Sequence, residues 1–180
     1  MLARALPHTG HLGPRGGAQV VLGLVTVLGV EPSAAAERRV LDSLVAKLLD
    51  AYRANASDDW RWFEPMLTYD NAILPLALFA AYSITGERST LHHARASLDF
   101  LEEVCFHGDQ VRLVGNTGWH SVGGEKARAD EQAIDATALV LALSCAYSVT
   151  KDRHYLVRMH EAFAWFLGSN RLGVPLYDFA

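Results

Sequence analysis

The run Ala81–Leu91, Ala-Tyr-Ser-Ile-Thr-Gly-Glu-Arg-Ser-Thr-Leu, returns at Ala146–Leu156 as Ala-Tyr-Ser-Val-Thr-Lys-Asp-Arg-His-Tyr-Leu, a spacing of 65 residues. At the same spacing Asp70 falls on Asp135, Phe100-Leu101 on Trp165-Phe166, and Gly108 on Gly173. Each copy holds the end of an apolar segment, a tight polar turn and the start of an amphipathic segment. That unit reads as a helical hairpin. Hairpins of this kind cannot bury their faces alone, so they stack on one another or close into a ring.

Periodicity supplies the layers. Ile73, Leu74, Leu76, Leu78, Phe79, Ala80, Ala81 and Ile84 make the segment 71–85 apolar nearly all round, and 130–149 has the same character. A helix with no polar face needs neighbours on every side. Residues 71–85 and 131–149 are therefore expected to be nearly fully buried. Three other segments carry a single apolar stripe: 35–52 (through Leu41, Leu44, Val45, Leu48 and Leu49), 89–105 and 152–167. These are expected to sheathe the inner helices. Gly17 to Gly29 reads as a short apolar helix, and Ser33 is placed to cap the helix that follows it. Pro75 fits the first turn of its helix, where a missing N–H costs nothing. The stretch 107–129 is a long connection with turn chemistry at Asn116-Thr117-Gly118 and Gly123-Gly124 and a short strand at 111–114. A connection of that length inside a compact domain usually serves function.

Composition removes several classes. The chain has 180 residues, is 51% hydrophobic and carries a formal charge of −4. No basic stripe is present, which argues against nucleic acid as a partner. Cys105 and Cys145 fall inside helices and read as small buried hydrophobes. The eight His show no paired-ligand spacing, and no Gly-rich phosphate loop or nucleophile elbow occurs, so neither a metal nor a cofactor is expected. Arg4 and Arg15 precede an apolar run, Ala18–Val30, that ends near Ser33-Ala34-Ala35-Ala36. That order resembles a signal peptide. Gln19, Gly23, Thr26 and Gly29 interrupt the run, however, and it falls short of the roughly 20 residues a bilayer requires. A buried first helix and a cytoplasmic protein without membrane contact are the favoured reading, with a signal peptide as the alternative. Residues 1–15 are expected to be irregular and 16–180 to form one domain.

The stretch Trp60–Pro75 concentrates Trp60, Trp62, Phe63, Glu64, Tyr69, Asp70 and Asn71. Aromatic planes beside carboxylates and an amide suit a sugar: rings cover C–H faces and polar groups fix hydroxyls. Glu64 and Asp70 precede one inner helix, while Asp130, Glu131, Gln132 and Asp135 stand at the next. In stacked hairpins these ends share a rim. Glu64, Asp70, Glu131 and Asp135 are the candidates for general acid and base. Trp62, Tyr69, Asn71, Trp119, His120 and Gln132 are the candidates for binding substrate. Capping and helix-dipole compensation are the competing explanation for the acids.

Several stretches resemble the helical region C-terminal to the catalytic domain in some bacterial group 1 (family 4) glycosyltransferases. They are Trp60-Arg61-Trp62-Phe63-Glu64, Leu67-Thr68-Tyr69-Asp70-Asn71-Ala72, Ser97-Leu98-Asp99-Phe100-Leu101, Gly118-Trp119, Ile134-Asp135-Ala136 and Pro175-Leu176-Tyr177-Asp178. The resemblance covers residues 10–180 and implies the six-hairpin, or (α/α)6-toroid, superfamily. The expected fold is all-α: an incomplete (α/α) toroid of about three helical hairpins, truncated at its C-terminus. The resemblance implies a sugar-related role, with carbohydrate as ligand. A glycosyltransferase domain, the missing toroid half or a second copy of the chain is the implied protein partner. An uncovered flank of half a ring is expected to drive association. No nucleotide-sugar-binding domain accompanies the helices, so donor-dependent transfer by this chain alone is not expected. A six-hairpin glycoside hydrolase or sugar epimerase is one alternative, and a helical-repeat scaffold for protein binding is another.

Overall fold

The computed structural model describes residues 6–108 and 110–177, with side chains from Thr9 onward. The protein is mainly α-helical. A 3-10 turn at Leu6–His11 is followed by α1 (Pro14–Val30), α2 (Ala35–Asn55), α3 (Ile73–Thr85), α4 (Arg88–Cys105), α5 (Ala133–Thr150) and α6 (Arg153–Ala164). Four two-residue strands complete it: β1 (Met66–Leu67), β2 (Phe106–His107), β3 (Gln110–Val111) and β4 (His120–Ser121).

The helices pair in chain order, α1 with α2, α3 with α4 and α5 with α6, and the hairpins meet through α1, α3 and α5. Helix α3 lies between α1 and α5, with α4 against it. Its residues Ile73 to Ala81 are all buried, whereas α2 buries only the stripe Leu41, Leu44, Val45, Leu48 and Leu49. That difference is what an all-round apolar segment and a striped one dictate. The outer helices α4 and α6 are joined by a polar network. His154 Nε2 lies 2.7 Å from Glu102 Oε2, the Tyr155 hydroxyl donates to Asp99, and Arg158 Nε lies 3.5 Å from Glu102.

The repeat holds to the level of single bonds at the hairpin turns. Gly86 (φ 68°) and Lys151 (φ 61°) both close their helices in the left-handed conformation, donating to the carbonyls of Tyr82 and Tyr147. Thr85 Oγ1 accepts from the Glu87 N–H, and Thr150 Oγ1 accepts from the Asp152 N–H. Glycine takes that backbone conformation freely, and lysine occupies it here at a cost.

Four expectations are corrected. The N-terminal segment is not wholly irregular: residues 6–11 form a 3-10 turn, and α1 starts at Pro14, which suits a first helical position. Ser33 does not cap α2; its hydroxyl bonds Glu31, and Ala34 stands at the cap without a side-chain bond. Asp130–Gln132 precede α5 and are not part of the helix, Asp130 being left-handed (φ 60°) and Gln132 extended. Finally, α5 is not buried on all sides. Ile134 (48% exposed) and Leu141 (52%) lie on a face, with Thr137 and Ser144, that no neighbour covers among the described residues. Apolar content marks a face that can be buried, but burial also requires a packed neighbour. Among the described residues α5 is the one helix long and apolar enough to cross a membrane; here it packs against α3 and α6. Asp178 and Arg4 lie outside the described residues.

Candidate functional site

The N-terminal ends of α1, α3 and α5 come together around one arginine. Arg15, in the first turn of α1, donates from Nη1 to Glu64 Oε2 (2.5 Å), from Nε to the Tyr69 carbonyl (2.6 Å) and from Nη2 to Asn71 Oδ1 (3.2 Å). Its guanidinium also stands 5.2 Å from the centre of the Tyr69 ring. A planar cation with five donors can serve several acceptors at once in this way, where a lysine could not. Gln19, one turn on, stands near the Asp70 carboxyl and favours its charged form.

Asp70 sits in the turn before α3 with a left-handed backbone (φ 49°), a conformation Asp tolerates better than most residues. Its carbonyl accepts the Ile73 N–H, but its carboxylate caps nothing: Ala72 occupies the N-cap of α3, and no side chain bonds there. Asn71 shapes the same turn, accepting from the Thr68 N–H and donating to the Thr68 carbonyl. Asp135, in the first turn of α5, accepts from the N–H and the amide of Asn71 at 3.4 and 3.5 Å. Asp70 and Asp135 are only 8% and 6% exposed. Burial raises the Asp70 pKa, with Arg15 and Gln19 opposing. Burial also pushes Asp135 up to about 6; the Asn71 N–H opposes this, the Asp70 charge adds to it, and Arg15 opposes it.

Glu64, Tyr69, Asp70, Asn71 and Asp135 therefore form one cluster. Arg15 and Gln19 were missed as members. In the chain Arg15 is a basic residue ahead of an apolar run, and nothing local points to acceptors 49 to 56 positions away. Tyr69 is the open ring of the group, 48% exposed.

The remaining candidates lie elsewhere. Trp62 is fully buried among Phe63 and Phe100 and cannot touch a ligand; it is a core residue, because the segment turns Trp60, Trp62 and Phe63 inward together while Arg61 faces outward to Glu103. Trp119 (φ 54°) is fixed by an Nε1 bond to Asn116 Oδ1 (2.9 Å). Gln132 stands at the N-cap of α5 without a side-chain bond, and its carbonyl accepts the Asp135 N–H. His120 pairs with Leu67 across β1 and β4 and meets the Trp60 ring edge-to-face at 5.2 Å. Burial lowers its pKa. Glu131 accepts from Trp165 Nε1 at 3.1 Å. His120 and Glu131 both line a cavity of about 710 Å3, which shares Arg128, Glu131 and Arg171 with a neighbouring cavity of about 470 Å3. Among the described residues no three His, Cys, Asp or Glu come together as a metal site.

The wall of these cavities is held by close backbone packing. Gly115 donates to the Ala127 carbonyl at 2.9 Å, and a Cβ there would press into the Ala127–Ala129 backbone, lying 2.8 Å from the Ala129 nitrogen. Gly115→Ala is expected to lower stability by about 2 kcal/mol. Urea unfolding followed by tryptophan fluorescence checks this, and an unchanged midpoint would show that the 115–129 wall yields freely.

The class of protein defined so far is a mainly helical one, built of stacked hairpins, with a buried acidic cluster where the inner helices begin. No family model matches the chain, and no curated protein matches it.

Proposed function

We propose that this chain is a carbohydrate-binding domain of the (α/α)-toroid type, related to the helical region of group 1 glycosyltransferases. In this reading it holds a sugar where α1, α3 and α5 begin. The observation that carries the reading is the half-exposed Tyr69 ring, braced by Arg15, next to the Glu64 and Asp70 carboxylates. The ring offers a flat apolar face for sugar C–H groups, and the part-exposed Glu64 carboxylate accepts from hydroxyls, with the buried Asp70 charge behind it. Arg15 is a positioning residue: its donors hold Glu64, Tyr69 and Asn71 in register. The toroid arrangement is supported by the inner row α1, α3, α5 and by the turns repeated at the atomic level. In a ring, the free face of α5 is where the next hairpin would pack.

Binding is favoured over hydrolysis by the state of the acids. Asp135, whose pKa best suits a general acid, is nearly sealed and points an oxygen at the Asn71 backbone. Glu64 is engaged by Arg15. A hydrolase would need a second carboxyl free to face the scissile bond.

The test is calorimetric titration against a panel of neutral oligosaccharides, with thermal melts alongside. Tyr69→Ala should weaken binding about tenfold, near 1.4 kcal/mol, with little change in melting temperature because the ring is half in water. Asp70→Asn should also weaken binding. The reading fails if no saccharide binds, or if Asp70→Asn lowers the melting temperature while binding is unaltered.

A further inference from the structure

The cluster of cations that make no ion pair among the described residues, in the cavity lined by His120 and Glu131, is the feature that the sugar reading leaves unused. Arg112, Lys126, Arg128 and Arg171 all line the cavity of about 710 Å3, together with His107 and His120. Glu125 and Glu131 line it too, yet neither forms an ion pair with any of the four cations among the described residues. The chain as a whole is acidic, at −4, so this concentration of positive charge is local.

Among the described residues, the hydrogen bonds of Lys126, Arg171 and Arg112 go to neutral groups. Lys126 Nζ donates to the carbonyls of Val104 (2.7 Å) and Arg112 (2.9 Å) and lies 3.4 Å from His107 Nε2. Arg171 donates to the Arg128 carbonyl, and Arg112 Nη2 donates to Gln110. Arg112 Nη1 is buried with no hydrogen-bond partner among the described residues. A buried guanidinium nitrogen left unpaired is costly unless something else satisfies it. Burial lowers the pKa of Lys126; Cys105 and Glu131 oppose this, and the repulsion of Arg128 and Arg112 adds to it. His107 is lowered first by burial, then by Lys126, Arg112 and Arg128. An anion entering the cavity would relieve all of these costs together.

We propose that this cavity is a binding site for the phosphate groups of a small polyanionic ligand, with Arg128 and Arg171 at its mouth and Arg112 and Lys126 at its wall. Arg forks recognise phosphate through paired N–H donors, and a lysine adds a point charge. The space is within the 300–1,000 Å3 usual for small-molecule sites and admits a diphosphate with a group attached. Glu131 and Asp130, on the side of the smaller cavity, would accept from the neutral part of such a ligand. The site is separate from the Tyr69–Asp70 cluster and does not depend on the sugar reading.

The experiment is titration of the full chain with inorganic pyrophosphate, inorganic phosphate and citrate at low salt, read by calorimetry and by the NMR titration of His107 and His120. Pyrophosphate is expected to bind saturably, more tightly than phosphate or citrate, and to raise the pKa of both histidines. Arg128→Gln and Arg171→Gln, both at exposed positions, should each weaken binding about tenfold or more. Arg39→Gln, on the exposed side of α2, serves as the control for general charge and should leave binding unchanged. Citrate binding as tightly as pyrophosphate would overturn the phosphate assignment in favour of a carboxylate ligand. Absence of saturable binding, or equal losses in the Arg39 and Arg128 variants, would overturn the site.

Discussion

Trp62→Ala is expected to lower stability by about 3–5 kcal/mol. The indole is fully buried, 5.2 Å from the Phe63 ring and 6.2 Å from Phe100, and Phe63 in turn meets Tyr52 of α2 at 5.4 Å. Removing the indole opens a void where the aromatic segment joins the outer helices, and close-packed neighbours relax only partly into such a space. The indole Nε1 is buried without a hydrogen-bond partner among the described residues. Trp62→Phe therefore removes an unsatisfied donor along with part of the volume, and should cost much less than the alanine change. Urea unfolding of the two variants provides the measurement. If Trp62→Ala left the midpoint in place and abolished saccharide binding instead, the residue would belong to the site and not to the core.

Trp62 also marks the boundary of what the chain reveals about itself. A segment of aromatics and acids reads equally well as a binding surface or as a plug, because residue type does not say which side of the backbone faces water. The layers were legible for a local reason. Helical periodicity and the turn chemistry of Thr85-Gly86-Glu87 and Thr150-Lys151-Asp152 act over a few residues, so each hairpin turn carries its own instructions. The opposite ends of the inner helices did not follow the repeat. Helix α5 begins at Ala133, five positions before the repeat-equivalent of Ile73. Asp70 thus occupies a left-handed turn, while its counterpart Asp135 lies within a helix. The two acids still meet, but through the contact of α3 with α5 and not as equivalent positions. Arg15 and the four cavity cations were illegible for the opposite reason to Trp62. Their chemistry is plain, but their partners are set by tertiary contacts between segments far apart in the chain.

Asp135→Asn is expected to stabilise the protein at neutral pH. Burial raises the Asp135 pKa from 3.8 to about 6, so the native state holds this proton more tightly than the unfolded chain does. Between roughly pH 4 and pH 6 the unfolded state binds fewer protons, and stability falls as pH rises through that window. Above it the loss is complete, on the order of 3 kcal/mol for a shift of about two units. Asparagine keeps an oxygen for the Asn71 N–H and removes the charge whose desolvation is the largest cause. Thermal melts of both proteins should therefore nearly coincide near pH 4 and diverge with rising pH, the variant melting about 6–12 °C higher by pH 7.5. Asp70 and Glu102, also raised by burial, impose a slope of the same sign on both proteins, so the difference between the curves reports Asp135 together with its coupling to Asp70. A variant less stable than the wild type at neutral pH would mean that the charged hydrogen bonds to the Asp70–Asn71 turn outweigh desolvation, which would make Asp135 a fastener of the fold. A gain in stability would place a destabilising charge among Arg15, Tyr69 and Asp70, and a cluster where stability is given up for a charged group is where function is to be sought.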